Sequence, residues 1–237
     1  MKLDYSVMIV GAAILIVPAS EDVADFDDAV NCVLFAQLVA NKQLEKQPGI
    51  NWYDAYADVF DGFWLRQVKA RQDRYLPPEN TESVVEWVVA ALANAGADSE
   101  PLVSEVLSRL INVSETDPAI KLLRSHVQAM VGEPSPERPM PATDVHLLIM
   151  VARSPSSLSS VFVEMKTRQV LSPNPLAHLF RGEDVEGLVS LRYTKANLSH
   201  TLYDPVRDDV ALKIKNRIAA NVALLTFADE SAEANKS

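Results

Sequence analysis

Four histidines and one cysteine are the residues best suited to hold a transition metal. His126, His146, His178 and His200 are separated by 20, 32 and 22 residues, and no pair has the short spacing of ligands on one helix or turn. Cys32 lies in an apolar run, where a small buried side chain is the plain interpretation, and a reactive thiol would need a neighbouring cation. The sequence therefore predicts no metal and no other cofactor.

Nucleophilic catalysis has only a weak signal. Ser199, His200 and Asp204 supply the residue types of a catalytic triad, but triads are usually assembled from distant segments. The chain has seven glycines and lacks the patterns G-x-G-x-x-G, G-x-x-x-x-G-K-[ST] and G-x-S-x-G. We expect no enzyme, although a site assembled in space would leave no local motif.

The charge of the chain limits its partners. The net charge is −10 and the isoelectric point is about 4.9, so no nucleic-acid partner is expected, because binding phosphates requires clustered lysine and arginine. The charge is uneven. Residues 1–150 hold 11 Lys and Arg against 22 Asp and Glu, whereas residues 151–237 hold 11 against 10. The second part is the better candidate to meet an anionic partner or a membrane.

Within that part, basic residues accompany the expected strands. Lys166, Arg168, Arg192 and Lys195 are candidates for contact with lipid head groups or with another protein. Tyr193 supports this interpretation, because aromatic rings favour the head-group region of a membrane. A solvated charged face is the alternative.

The apolar run Val7–Val17 holds eleven uncharged residues, about half the length of a transmembrane helix. A buried strand is the main interpretation, and a signal segment or a membrane-seeking segment is the alternative. Such a strand is too apolar for a sheet edge, so a central position is expected. The preceding residues lack a positive charge excess, so the localisation stays open between the cytoplasm and release without a clear signal peptide.

Helical patterns dominate the next hundred residues. Asn51, Asn80 and Asp117 have the residue types and positions of helix N-caps. The predicted helices are Asp25–Asn41, Trp52–Lys69, Thr81–Asn94, Glu100–Ile111 and Ala119–Val131.

The character of the chain changes after residue 141. Four prolines in Glu133–Pro141 predict a linker. Strands are predicted at Val145–Ala152, Val161–Thr167 and Leu188–Leu202, and a last helix begins at Asp204 and runs to Leu225.

The expected fold is α+β, with helical layers packed on a mixed sheet that combines the N-terminal strand with the C-terminal strands. The organisation is a single domain over residues 1–228. It has a helix-rich part (1–132), the proline-rich linker (133–141) and a strand-rich part (142–228). Residues 229–237 are expected to be a disordered tail.

This order of elements resembles the Cyt-type cytolysins, a delta-endotoxin family, in chain length and in topology. Asp25–Asn41 with Trp52–Lys69 corresponds to one helical layer, and Thr81–Ile111 corresponds to the other. No motif is shared and no functional residue is transferred. The helix Ala119–Val131 and the proline linker depart from the family pattern.

The resemblance implies a membrane-acting protein that stays soluble until it rearranges on lipid. The alternative is a non-catalytic module for protein interaction or self-assembly, so the expected partners are a membrane or another protein, including a second copy.

Overall fold

The structure is a computed structural model, and it describes residues 5–19, 22–131, 142–225 and 227 of the 237-residue chain. The expected linker, residues 133–141, and the expected tail, residues 229–237, lie outside these ranges. Within them the fold is α+β, with helical layers on both faces of a mixed sheet, as the sequence predicts.

The strands are β1 (Tyr5–Val10), β2 (Ala13–Pro18), β3 (Trp64–Arg74), β4 (Thr81–Ser83), β5 (Gln128–Val131), β6 (Ala142–Ser154), β7 (Ser157–Thr167), β8 (Leu179–Arg181), β9 (Val185–Leu198) and β10 (Val222–Leu225). The main sheet has the order β10-β1-β2-β6-β7-β9-β3, and β5 pairs with the start of β6. Its neighbours are antiparallel except β2 and β6, which are parallel. β4 and β8 form a separate two-stranded sheet.

The helices are α1 (Asp27–Lys46), α2 (Trp52–Phe60), α3 (Val84–Asn94), α4 (Glu100–Leu110), α5 (Pro118–Val127), α6 (His200–Tyr203), α7 (Arg207–Ile214) and α8 (Ile218–Asn221). One buried cluster lies between the sheet and α3, α4 and α5, and a second lies between the sheet and α1, α2 and α7. We call the two sides of the sheet the α3–α5 face and the α1–α2 face.

The apolar run Val7–Val17 is a hairpin rather than the single strand predicted. β1 and β2 are antiparallel, with Ile9 opposite Ile14. Gly11 forms the turn with φ +58°, a conformation that favours glycine. The predicted burial and interior position are confirmed, because both strands are almost fully buried and β10 covers the outer side of β1.

The predicted helix Trp52–Lys69 is wrong in its second half. α2 ends at Phe60, and β3 then pairs with β9 from Trp64 to Arg74. The Asn51 cap is confirmed, since its side chain accepts a hydrogen bond from Asp54 N at 3.0 Å.

The start of α3 and the end of α5 also differ from the prediction. Residues 81–83 form β4, and Ser83 rather than Asn80 caps α3 in a capping box with Glu86. α5 ends at Val127, because the chain turns into β5.

The predicted last helix is also interrupted. α7 ends at Ile214, α8 is a single turn from Ile218, and Val222–Leu225 is β10. As a strand, Val222–Leu225 forms backbone hydrogen bonds with β1 and partly buries its apolar residues. This tertiary pairing outweighs the helical spacing of the apolar residues in the sequence.

Candidate functional site

A polar cluster is enclosed between α2 and the sheet, where an apolar contact would be ordinary. Glu164 of β7 accepts hydrogen bonds from Nδ2 of Asn51, at 3.1 Å to Oε1. Nε2 of His146, on the neighbouring strand β6, lies 3.5 Å from the same oxygen. The Arg192 guanidinium, on β9, lies 3.8 Å from Oε2. The side chains of Glu164 and Arg192 are only 22% and 14% exposed, so three strands and one helix meet at one charged group.

Arg192 links this cluster to α2. Its Nη1 donates to Oδ1 of Asp54 at 2.8 Å, and its guanidinium lies 4.5 Å from the centre of the Tyr53 ring. Asp54 is in the first turn of α2, where a carboxylate also favours the positive end of the helix dipole. The arginine therefore fixes the start of α2 against β9.

Glu164 is held as a carboxylate. Burial raises its pKa, but hydrogen bonds from His146 and Asn51 and the charge of Arg192 lower it, and the net pKa is below the ordinary value. A carboxylate with this many donors is a poor proton acceptor. The cluster therefore positions elements rather than offering a general base.

An open cleft of about 320 Å³ lies next to this cluster, between α2 and β3. Its charged lining residues are Asp54, Asp58, Arg66, Lys69, Arg71 and Arg192. Each of the four cations has a carboxylate partner: Arg66 and Lys69 lie against Asp61, Arg71 against Asp73, and Arg192 against Asp54. The cleft is therefore polar without a large excess of positive charge.

The residues predicted to contact a partner do not form one surface. Lys166 and Arg192 belong to the α1–α2 face, where Lys166 lies 3.7 Å from Asp144. Tyr193 and Lys195 belong to the opposite face. Arg168 lies after β7 and donates to the backbone oxygen of Glu183.

The histidines remain apart. His146 joins the cluster and stacks on Trp52 with ring centres 5.2 Å apart. Burial lowers the pKa of His126 and of His178. His200 lies 3.4 Å from Asp204 and is largely exposed, and Ser199 makes no side-chain hydrogen bond with it in the described part of the chain. Ser199, His200 and Asp204 therefore do not form a catalytic triad in a site shielded from solvent.

Cys32 is fully buried, as predicted. Burial raises the pKa of its thiol to about 12, so the thiolate, the reactive form, is disfavoured.

Within residues 5–19, 22–131, 142–225 and 227, no group of three or more His, Cys, Asp or Glu side chains could hold a metal ion. In the same ranges, no helix is both long and apolar enough to cross a bilayer.

Sequence reasoning missed the roles of Asn51, Asp54, His146 and Glu164. These contacts join residues 113 and 138 positions apart, so no local spacing could reveal them. One feature of the sequence could have indicated the cluster, namely a charged residue within a predicted strand. Glu164 lies on the same face of β7 as the buried Phe162, and α2 covers that face.

Comparison with known proteins finds no matching family profile and no matching curated protein. A solved structure titled delta-endotoxin is similar with a TM-score of 0.38 and 9% sequence identity, over 79% of this chain and 79% of that chain. This is a weak structural similarity, too low to carry a function. The expected resemblance to the cytolysins is thus supported only as far as a weak similarity of structure.

Proposed function

We propose that the protein acts on lipid membranes by presenting the α3–α5 face of its sheet to lipid after α3 and α4 move away. The observation that carries this proposal is the apolar surface that three neighbouring strands, β6, β7 and β9, form under α3 and α4.

The α3–α5 face of these strands is apolar over most of its area. Its residues are Val145, Leu147, Ile149 and Val151 on β6, Val161, Val163 and Met165 on β7, and Val189, Leu191 and Tyr193 on β9. Leu65, Val68 and Ala70 of β3 extend the same face, because they pair with residues of β9 on that side. Glu164, Lys166 and Arg192 lie on the other side of these strands, whereas Lys195 and Arg74 lie on this side, next to the apolar residues.

The α1–α2 face of the same strands is mixed, because charged and polar residues lie beside a buried apolar cluster. The charged and polar residues are His146, Glu164, Arg192, Arg66, Lys69, Arg71 and Asp73. The buried apolar area of β6, β7 and β9 on the α3–α5 face suits a sheet that exchanges a helical cover for hydrocarbon, because this area stays out of water in both states.

The attachments of the helices indicate which layer moves. Gln37 of α1 is buried and makes two hydrogen bonds with the β1–β2 turn, and Asn51 at the start of α2 makes a partly buried hydrogen bond with Glu164 of β7. Exposed contacts join the other layer to the sheet: Asn94 of α3 donates to Gln72, and Arg153 to Asp98. Exposed polar contacts contribute little stability, so α3 and α4 detach at lower cost.

Release of a trapped dye from liposomes tests the proposal. A disulfide between α3 and β9, such as Ala91→Cys with Leu191→Cys in a Cys32→Ala background, should block release when oxidised and leave binding intact. The same variant under reducing conditions is the matched control. Neither binding nor release with anionic or neutral liposomes across pH 5 to 9 would refute membrane action.

A non-catalytic interaction module is the second candidate. The observation that favours it is the exposed edge of β3, and it takes precedence if the liposome experiment is negative.

A further inference from the structure

β3 is an edge strand of the main sheet. It pairs with β9 on one side, and in the described part of the chain it has no strand on the other. Seven consecutive residues, 67–73, are exposed, so both faces of this part of the strand are accessible to solvent. An edge strand of this kind presents a row of backbone N–H and C=O groups that can pair with another extended segment.

The charge of β3 differs from that of the whole chain. β3 contains four cations, Arg66, Lys69, Arg71 and Arg74, and only one acid, Asp73, in a protein of net charge −10. The side chains of Lys69 and Arg71 are 59% and 61% exposed. Their pairs with Asp61 and Asp73 are therefore solvated and readily exchanged for carboxylates of a partner.

The two faces of β3 present different side chains to a partner. Arg66, Lys69 and Arg71 share the α1–α2 face, whereas the exposed Leu65 and Val68 lie on the other. Clefts of about 320 and 300 Å³ flank the strand on its two faces, and both are lined by Ala70 and Arg71. A segment lying along β3 therefore meets cations on one side and apolar groups on the other.

A second copy of β3 does not suit this edge. Antiparallel pairing of two such strands would bring cations close to cations on one face, which is destabilising. A strand with acidic residues at alternate positions reverses the sign of each pair.

We propose that β3 is the docking edge for an extended acidic segment of a partner protein, which adds as a further strand. Its acidic side chains lie beside Lys69 and Arg71, and its intervening apolar side chains lie beside Leu65 and Val68. This inference does not depend on membrane action. The competing explanation is that the charges of β3 only prevent edge-to-edge aggregation.

Fluorescence anisotropy of the full chain with a labelled peptide of alternating glutamate and valine distinguishes the two. The acidic peptide should bind, and a peptide of alternating lysine and valine should not. Two versions of the acidic peptide, N-methylated at odd or at even positions, test the backbone pairing. Because only alternate N–H groups of an added strand face β3, one version should lose binding and the other should keep it.

A second experiment removes the positive charges of β3. Lys69→Gln with Arg71→Gln should weaken binding of the acidic peptide about fivefold. Lys215→Gln with Arg217→Gln, two exposed cations between α7 and α8, removes the same charge and should leave binding unchanged. Thermal unfolding checks that both variants keep the fold.

Four results would overturn the proposal. They are no binding of the acidic peptide, equal binding of both N-methylated versions, equal weakening by the control variant, and binding of anionic vesicles through Lys69 and Arg71 without binding of the peptide. Self-association strengthened by Lys69→Gln with Arg71→Gln would assign the edge to a second copy instead.

Discussion

Arg192 donates from Nη1 to Oδ1 of Asp54 at 2.8 Å, and this contact joins β9 to the first turn of α2. The same guanidinium faces Glu164 on β7 and the ring of Tyr53. A residue that the sequence suggested for contact with a partner thus holds the fold together.

Arg192→Met should destabilise the protein by about 2–3 kcal/mol, because it leaves the carboxylate of Glu164 largely buried without its cation. The midpoint of urea unfolding measures the loss. Lys195→Met, three residues along β9 on the opposite face, is the matched control and should change the free energy of unfolding by less than about 0.5 kcal/mol. Equal losses in the two variants would show that the cluster contributes nothing specific.

Stability should decline as the pH falls below about 6.5, the usual pKa of histidine. Burial lowers the pKa of His126 and of His178 in the folded protein, so the unfolded chain binds more protons in this range. The contribution of the two neutral imidazoles is complete above that pH and is lost as the pH falls through their lowered pKa values. Free energies of unfolding at pH 7 and pH 5.5 measure the effect.

His126→Gln with His178→Asn should reduce this difference between pH 7 and pH 5.5. His200→Gln, at an exposed position, is the control. If the control reduces the pH dependence as much as the double variant does, His126 and His178 are not its source.

The sequence predicted strands and helices well where the apolar residues of an element fall on one of its faces. Val161, Val163 and Met165 lie on one face of β7 with Phe162 on the other, as their alternation indicates. β3 escaped detection because residues 67–73 are exposed on both faces, which leaves no alternation. Its lysine, arginine and glutamine residues also favour helices.

The hairpin was missed for the opposite reason. β1 and β2 are buried on both faces, so no polar residue separates them, and Gly11 was the one local sign of a turn. The polar cluster around Glu164 could not be predicted, because its members come from α2 and three strands and are brought together only by the register of the sheet.

Gln37→Leu should destabilise the protein by about 1–3 kcal/mol, since it leaves two buried backbone groups of the hairpin without a partner. Gln37 Oε1 accepts from Ala12 N, and Nε2 donates to Val10 O, each at 2.8 Å. Gln43→Leu, on a less buried part of the same helix, is the control. A loss no greater than that of the control in thermal unfolding would contradict this role.

Gly11→Ala should also destabilise the hairpin. The glycine has φ +58°, and an added Cβ would lie 2.5 Å from Gln37 Oε1. Hydrogen exchange of β1 and β2 amides should rise in this variant relative to Gly49→Ala, a position with positive φ and open space. Equal exchange in the two variants would show that the close approach costs nothing.

Cys32 reports which helical layer leaves the sheet on a membrane. It lies in α1, is fully buried and has its pKa raised to about 12, so a thiol reagent at pH 8 should not modify it in the folded protein. If α3 and α4 detach and α1 stays, Cys32 should remain protected when the protein is bound to liposomes.

Ala91→Cys with Cys32→Ala places a single thiol on α3, and this thiol should become reactive on binding. Modification of Cys32 with protection of Cys at position 91 would assign the movement to α1 and α2 and would contradict the proposed order of events.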